Sequence, residues 1–291
     1  SKEKISEGRS KGKAFKIFYI RRSLRIFPVY YALLLILFIL KNKDVLDGFW
    51  SHFFYVSNFY FFSIYGFEGQ SSDFWWLAVE EQFYLFWPAV ILISPRQWLP
   101  KVFLCGVIIS IYFRYLMFDP PLSMGRFLMP ASLDSFCIGA ILAYGKYNLL
   151  PWYQKVLKRR TVDFFVALIV FIGFTFAVQP NSVVHVALYY TIISIFFAVV
   201  IMSCSEGVSS KWIRPVLENG ALVYVGKISY GLYLFHNFIP YFYGLQLPEF
   251  LMPFSMYIAQ GLRFLSLIVL ASFSWFVLEK QALKLKSHFE F

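Results

Sequence analysis

FWWLAVEEQFYLFWP, from Phe74 to Pro88, places two adjacent carboxylates in a segment that is otherwise apolar enough for lipid. Extended to Ser94, the segment has 21 residues. At about 1.5 Å per residue, a helix of this length crosses a hydrocarbon core of about 30 Å. An ionised carboxylate inside a membrane is costly unless it faces protein, water or a cation. Glu80 and Glu81 are therefore candidate functional residues, with a structural ion pair between two helices as the alternative interpretation.

The two glutamates lie on different faces of the predicted helix. At helical spacing, Glu80 shares a face with Trp76 and Tyr84, whereas Glu81 is rotated by about 100° around the helix axis. Side chains that face different directions meet different neighbours. We therefore expect the two carboxylates to have different partners.

Composition places the whole chain in one class. Of its 291 residues, 59% are hydrophobic and 15% are charged, whereas soluble domains are roughly 45–50% apolar. The net charge of +11 comes from short basic clusters between apolar segments, a pattern typical of membrane topology and not of nucleic-acid binding. The three cysteines lie singly in apolar segments, so neither a disulfide framework nor a metal site is expected. The sequence predicts an all-α, polytopic membrane helix bundle.

Eight membrane-spanning helices are predicted, with both ends of the chain in the cytoplasm. Segment 49–67 is interrupted by polar side chains and is interpreted as interfacial or re-entrant. If it crossed, the loop 146–160 with its five basic residues would move outside, against the positive-inside rule. We expect a multi-pass protein of the cell membrane, specifically the bacterial inner membrane. The predicted spans are about 26–40, 74–94, 99–118, 127–145, 162–179, 183–204, 221–243 and 254–279.

The two ends of the chain flank the predicted transmembrane domain, which is assigned to residues 26–286. Residues 1–25 carry nine Lys or Arg and are interpreted as a basic cytoplasmic segment, and residues 287–291 as a cytoplasmic tail. The chain starts with Ser, and its first apolar run follows a basic stretch. We therefore expect it to be cut from a longer protein.

The predicted topology brings six ionisable residues of the spans to one depth, in the outer half of the membrane. Charges in a membrane persist by pairing or by lining a wet cavity. A water-filled outer pocket is the preferred interpretation, and a dry ion network is the alternative. Pro240 cannot donate to the carbonyl of His236, which would leave that acceptor available. The six residues are Glu80, Glu81, Arg114, Asp134, His236 and Arg263.

The inner side carries a second candidate site, in the stretch FYIRRSLRIFP. Arg21, Arg22 and Arg25 place three guanidinium groups ahead of the first span, and guanidinium forks bind phosphate in a bidentate manner. Anchoring to anionic lipid head groups is the alternative. At the end of the last span, Glu279 and Lys280 are expected to form a solvated pair.

Five stretches of the chain, in order, resemble the membrane-bound acyltransferase family 3, whose members are multi-pass O-acyltransferases that modify cell-surface carbohydrates. The family has ten spans and places two helices before the RRxxR stretch, so the resemblance implies that the first two helices are missing here. The chain departs from the family pattern at Trp76, Ser132 and Gln281. The matching stretches are FYIRRSLRIFPVYY, WWLAVEEQFYLFWP, MPASLDSFCIGAILAY, VGKISYGLYLFH and SWFVLEK with KLK.

The resemblance implies transfer of an acyl group, most often acetyl, from acyl-CoA to a hydroxyl of a cell-surface carbohydrate or lipid-linked sugar. A histidine of the family's first helix is treated as the base, and it has no counterpart in this chain. Carried over by position, Arg21, Arg22 and Arg25 would hold the phosphates of acyl-CoA, the donor substrate. Glu80 would lie in the reaction chamber, and His236 would be a second catalytic candidate. No permanently bound cofactor is implied, and the expected partners are the lipid bilayer, acyl-CoA and the carbohydrate acceptor.

Two other interpretations stay open. A membrane transporter of a sugar or lipid intermediate would show broken helices near the bilayer midplane and internal repeats, and no repeat is visible in the sequence. An inactive fragment of the acyltransferase would have the same sequence, because the helix with the family histidine is expected upstream.

Overall fold

The computed structural model of the chain describes residues 11–64, 66, 69–120, 123–180, 182–205, 213–239 and 255–289. Over these ranges every regular element is helical and no strand occurs, which confirms the predicted all-α class. Pro240 and the ends of the predicted segments 1–25, 221–243 and 287–291 lie outside the described residues.

The described helices are numbered in chain order. Four short 3₁₀ turns adjoin them, at Arg96–Trp98, Met124–Phe127, Met129–Ser132 and Leu285–His288, and one π-helical turn lies at Trp275–Glu279. The helices are α1 (Lys11–Ile39), α2 (Lys43–Leu46), α3 (Phe49–Phe53), α4 (Ser57–Ser63), α5 (Phe74–Ile93), α6 (Leu99–Leu116), α7 (Leu133–Tyr147), α8 (Pro151–Lys158), α9 (Arg160–Ala177), α10 (Val183–Ser205), α11 (Ile213–Leu217), α12 (Gly220–Phe235), α13 (Ser255–Ser274) and α14 (Lys280–Lys284).

Six helical stretches in the described part of the chain are long and apolar enough to cross a membrane. The helices α7 and α12, which fall in two further predicted spans, have 15 and 16 described residues. The predicted total of eight spans therefore stays a prediction. The six stretches are Gly12–Ile39, Phe74–Ile93, Arg96–Leu116, Arg160–Ala177, Val183–Cys204 and Ser255–His288.

The segment 49–67 contains only short helices where it is described. Helices α3 and α4 have five and seven residues, and at about 1.5 Å per residue neither reaches across a core of about 30 Å. Helix α7 starts at Leu133 and not at 127, after two 3₁₀ turns. Pro130, which has no backbone N–H, lies in the second of these turns.

The chain divides into two compact units. The first contains the described residues of Ser1–Phe53, Glu68–Asp73 and Pro215–Phe291. In it, the long helix α1 contacts the π turn, α14 and the last 3₁₀ turn, and α12 packs on α13. The first and the last described helical segments of the chain therefore meet in this unit.

The second unit contains the described residues of Phe54–Phe67 and Phe74–Arg214. Helices α6, α7 and α10 pack against one another, and α9 packs on α10. A Cβ at Gly106 would lie 2.5 Å from Cys137 Sγ, so the glycine permits the close approach of α6 and α7. Helix α9 has no buried residue, as expected of an apolar helix that faces lipid.

Candidate functional site

One polar cluster follows the end of α12, within the first unit. His236 Nε2 lies 3.0 Å from Asp73 Oδ2, and the side-chain amide of Asn237 donates to the same oxygen at 2.6 Å. The side chains of His236 and Asp73 are 41% and 30% exposed, which leaves the pair accessible to water or a ligand. Burial raises the pKa of the Asp73 carboxyl above its ordinary value, because its charged form is desolvated, and His236 opposes this shift.

Both ring nitrogens of His236 face oxygen atoms. Nδ1 lies 2.7 Å from the carbonyl oxygen of Tyr233, one turn earlier in α12, where the last carbonyls of a helix lack an intrahelical donor. A carbonyl oxygen only accepts, so this contact requires a proton on Nδ1. Arg263 Nη2 in α13 donates to the carbonyl of His236 at 2.9 Å. These contacts hold the ring with Nε2 toward the Asp73 carboxylate.

The backbone around Asp73 is also held in place. The Tyr233 hydroxyl donates to the Asp73 carbonyl at 2.8 Å, and the Gln70 backbone N–H donates to Asp44 Oδ2 at 2.8 Å. Gly69 has φ +97°, and a Cβ there would lie 2.8 Å from Asp44 Oδ2. Only glycine adopts this conformation without strain and leaves room for the carboxylate. The turn that leads into Asp73 is therefore fixed by α2 on one side and by α12 on the other.

The three arginines of the predicted phosphate site lie near the C-terminal part of the chain, also within the first unit. Lys286 lies within electrostatic range of Arg21, Arg22 and Arg25. Arg21 Nη1 donates to the carbonyl of Phe289 at 2.9 Å across 268 positions of sequence. Four cationic side chains thus lie close together. Three of them are the arginines of α1, and the fourth is Lys286, near the other end of the sequence. Such a cluster is suited to a multiply charged anion.

A buried acid adjoins this cation cluster. Glu279 is 5% exposed, accepts from the Ser274 hydroxyl at 3.2 Å and lies within electrostatic range of Arg25. The expectation of a solvated Glu279–Lys280 pair is wrong, because the π turn directs the carboxylate into the unit while Lys280 Nζ lies 5.5 Å from the centre of the Phe276 ring. Glu279 therefore belongs with the arginines.

In the second unit, Glu80 is half-buried on α5. The indole N–H of Trp76 donates to Glu80 Oε1 at 3.1 Å, and the Tyr84 hydroxyl donates to Oε2 at 3.2 Å. These contacts confirm the shared face predicted from helical spacing. Glu81 is half-buried on the next position of the same helix. The two donors fix the orientation of the Glu80 carboxyl group.

Arg114 and Asp134 form a closed ion pair in the second unit. Arg114 Nη2 lies 2.7 Å from Asp134 Oδ2, and neither side chain has any exposed surface. Asp134 Oδ1 accepts from the Ser110 hydroxyl at 3.1 Å, and Oδ2 also accepts from the Thr191 hydroxyl. The pair therefore ties α6, α7 and α10 together and is closed to solvent.

All five N–H groups of Arg114 have partners. Nε donates to the carbonyl of Ala187 at 3.0 Å, Nη1 donates to Ser110 Oγ and to the carbonyl of Ala131, and Nη2 donates to Asp134, Ala187 and Thr191. No N–H of Arg114 is therefore left to contact Glu80. Since neither Arg114 nor Asp134 has exposed side-chain surface, these two residues fit the closed ion network and not a water-filled pocket.

Sequence reasoning missed Asp73 and Asn237. Asp73 precedes an apolar helical run, where an aspartate ordinarily indicates only the start of a helix. Its partner His236 is more than 160 positions away, so no local pattern links the two. The adjacent polar pair His236 and Asn237 at the end of an apolar run was the one available signal. Within the described ranges, no three His, Cys, Asp or Glu side chains converge as metal ligands would.

Comparison with known proteins identifies relatives of the chain. The sequence profile of the acyltransferase domain matches residues 6–279, which confirms the resemblance seen in the motifs. The peptidoglycan O-acetyltransferase OatA of Listeria monocytogenes is 28% identical over 249 residues, which cover 76% of this chain and 39% of that protein. A protein of Staphylococcus aureus (strain COL), provisionally named an O-acetyltransferase, is 29% identical over 248 residues, with 76% and 40% coverage. The chain thus spans about 40% of the length of these relatives, and no solved structure gives a significant match.

Proposed function

The chain belongs to the acyltransferase domain family, and on that premise we propose that its protein is a membrane O-acetyltransferase. The donor is acetyl-CoA, and the acceptor is a hydroxyl of a cell-envelope carbohydrate. The observation that carries this proposal is the convergence of Lys286 with Arg21, Arg22 and Arg25. The names of the Listeria and Staphylococcus relatives support the acetyl group, and the Listeria name supports a peptidoglycan sugar as acceptor.

The cation cluster matches the donor in charge. Acetyl-CoA carries its phosphates far from the thioester, so a remote cationic site can bind the donor without taking part in the chemistry. Arginine forks and a lysine ammonium are the side chains that bind phosphate best. Glu279, buried within electrostatic range of Arg25, attracts the guanidinium of Arg25 and partly balances the charge of the cluster.

The reaction proposed is direct transfer of the acetyl group. The acceptor hydroxyl oxygen attacks the thioester carbon, the C–O bond forms as the C–S bond breaks, and CoA leaves as a thiolate that takes up the proton released by the hydroxyl. Such a transfer needs a group that removes the hydroxyl proton and donors that stabilise the oxyanion.

Two carboxylates, one in each unit, are alternative candidates for contact with the acceptor. Asp73, paired with His236 and partly exposed, can take the hydroxyl proton, and the imidazole compensates the resulting change of charge. Glu80, held by Trp76 and Tyr84, can bind acceptor hydroxyls or orient a base. We assign proton removal to the Asp73–His236 pair because its side chains are reachable and its ring orientation is fixed.

The first experiment measures transfer of labelled acetyl from acetyl-CoA into cell-wall carbohydrate. Membranes would contain the protein with its native flanking sequence, so that every residue adjoining this chain is present. Lys286→Gln is expected to raise the KM for acetyl-CoA by about tenfold, since a charge-assisted hydrogen bond contributes roughly 1.5–3 kcal/mol. Lys284→Gln is the matched control, because Lys284 is exposed on the same tail.

A thioester without phosphates separates donor binding from a general effect on the fold. With S-acetyl-N-acetylcysteamine as donor, the rates of the Lys286→Gln variant and the unaltered protein should agree. Absence of labelled ester from the unaltered, membrane-inserted protein would contradict the proposed function. Full transfer by Glu80→Gln would remove Glu80 from the mechanism without affecting the donor assignment.

A further inference from the structure

An open groove of about 490 Å³ lies between α7 and α10 in the second unit. The α7 wall is one helix face from Ser135 to Lys146, and the α10 wall is one face from Tyr190 to Met202. Lining residues recur at spacings of three and four, so each wall is continuous along its helix. At about 1.5 Å per residue the α7 wall is about 16 Å long, roughly half of a hydrocarbon core. These dimensions suit an extended hydrocarbon chain.

The groove is apolar along its walls, although two serines line it. Ser135 Oγ and Ser194 Oγ lie 2.7 Å apart, and Ser194 Oγ also donates to the carbonyl of Tyr190 at 2.6 Å. Both hydroxyls are therefore satisfied within the protein and require nothing of a ligand. Between Ser135 and Lys146, the side chains of the α7 wall have no polar atoms. Gly139 also lies on this wall, and a Cβ added at Gly139 would meet nothing within 4 Å.

The two ends of the groove differ. Helices α5 and α7 run in the same direction, because Trp75 contacts Phe127, which precedes α7, and the ring of Phe83 stacks on Phe136 with 3.9 Å between the ring centres. Trp76, near the start of α5, therefore lies at the end of the groove where α7 begins. The other end is bounded by Lys146 and by the buried Tyr153 of α8. One end is therefore aromatic and the other carries a cation.

The cationic end is part of a larger basic region. Residues 146–160 contain five Lys or Arg and no acid. Their short helix α8 has Lys155 and Lys158 in its last turn. Basic side chains at a membrane surface attract anionic lipid, at about 1 kcal/mol for each Lys or Arg. The charge at this end complements a phosphate head group, and the apolar walls complement the chain attached to it.

We propose that the groove between α7 and α10 binds one acyl chain of an anionic phospholipid, with the phosphate of its head group at Lys146. The end of the chain rests against the indole of Trp76, whose N–H holds Glu80. A bound lipid thereby supports the side chain that positions this carboxylate. This site is separate in sequence and chemistry from the arginine cluster of the first unit.

Photo-crosslinking tests the proposal. The protein in phosphatidylcholine nanodiscs would receive phosphatidylglycerol with a diazirine in its acyl chain, and crosslinked peptides would be mapped by mass spectrometry. Crosslinks are expected in α7 and α10, and unlabelled phosphatidylglycerol should compete for them better than phosphatidylcholine. Gly139→Phe should reduce them at least fivefold, because the new ring fills the groove. Gly173→Phe in α9 is the matched control, since a Cβ at that glycine also meets nothing within 4 Å.

A second variant keeps the test decisive if Gly139→Phe fails to insert. Lys146→Gln should lower the preference for phosphatidylglycerol over phosphatidylcholine by about fivefold, the equivalent of about 1 kcal/mol. Unchanged crosslinks in an inserted Gly139→Phe protein would overturn the proposal, as would equal competition by the two lipids. Competition by palmitoyl-CoA and not by phosphatidylglycerol would also overturn it, and would assign the groove to the acyl chain of a donor.

Discussion

Arg114 and Asp134 lie 2.7 Å apart with no exposed side-chain surface, whereas His236 and Asp73 lie 3.0 Å apart with 41% and 30% of their side chains exposed. In each pair, a side chain that can carry a positive charge contacts a carboxylate. Both pairs lie within apolar helices or directly beside them. The first pair is closed on all sides by Ser110, Thr191 and backbone carbonyls. The second is open to solvent, so it can meet a molecule from outside.

This difference separates a structural pair from a candidate reactive pair. Every N–H of Arg114 already has an acceptor, so a substrate would have to displace a protein contact in order to bind. A polar residue in an apolar span is a functional candidate by default, but saturation of its hydrogen bonds argues for a role in the fold.

Removal of one partner of the closed pair should cause the largest loss of stability. Arg114→Leu leaves Asp134 buried without its cation, which is expected to cost about 3–5 kcal/mol. Thermal unfolding in detergent would measure the loss. The double variant Arg114→Met with Asp134→Leu should recover most of it, because no unpaired charge remains. A single variant as stable as the unaltered protein would show that the pair does not hold α6, α7 and α10 together.

The open pair should show the opposite pattern, with a large effect on activity and a small one on stability. Asp73→Asn keeps the shape of the side chain but removes the carboxylate, so acetyl transfer should fall by about 100-fold. Its free energy of unfolding should change by less than about 1 kcal/mol, because an ion pair that solvent can reach contributes little. Asp47→Asn, at an exposed position of the same unit, is the control for transfer. Destabilisation as large as that of Arg114→Leu would make this pair structural as well.

The backbone that carries Asp73 offers a way to disturb the open pair indirectly. Gly69→Ala forces a side chain into φ +97° and against Asp44, at a cost of about 1–2 kcal/mol. The free energy of unfolding and the rate of acetyl transfer should both decrease. Gly261→Ala, in α13 with nothing within 4 Å of the added Cβ, should leave both unchanged or slightly raise stability. Equal behaviour of the two alanine variants would mean that the turn does not position Asp73.

The smallest expected effect is a dependence of stability on pH. Because burial raises the folded-state pKa of Asp73 above its ordinary value, the protonated carboxyl favours the folded state. This contribution is complete below the unfolded pKa and is lost as pH rises through the raised pKa. The unaltered protein should therefore lose stability relative to Asp73→Asn over that interval. A relative gain with rising pH would contradict the raised pKa.

Much of the fold and part of the site could be predicted from local patterns. Helix α5 and the face shared by Trp76, Glu80 and Tyr84 follow from one short stretch, because apolar length and helical spacing are local properties. The cationic character of Arg21, Arg22 and Arg25 is equally local. The solvated state expected of Glu279 was wrong, because its burial depends on α1 and on the π turn, which a local pattern does not describe.

Composition, apolar length and the order of the motifs can be read along the chain, and they were enough to identify an all-α membrane protein of the acyltransferase domain family. Which charged side chains are closed to solvent and which are open depends on tertiary packing. The contact between Asn237 and Asp73 spans 164 positions, and that between Arg114 and Asp134 spans 20. Hydrogen bonds act over about 3 Å, so the rotation and packing of the helices determine which partner each side chain reaches.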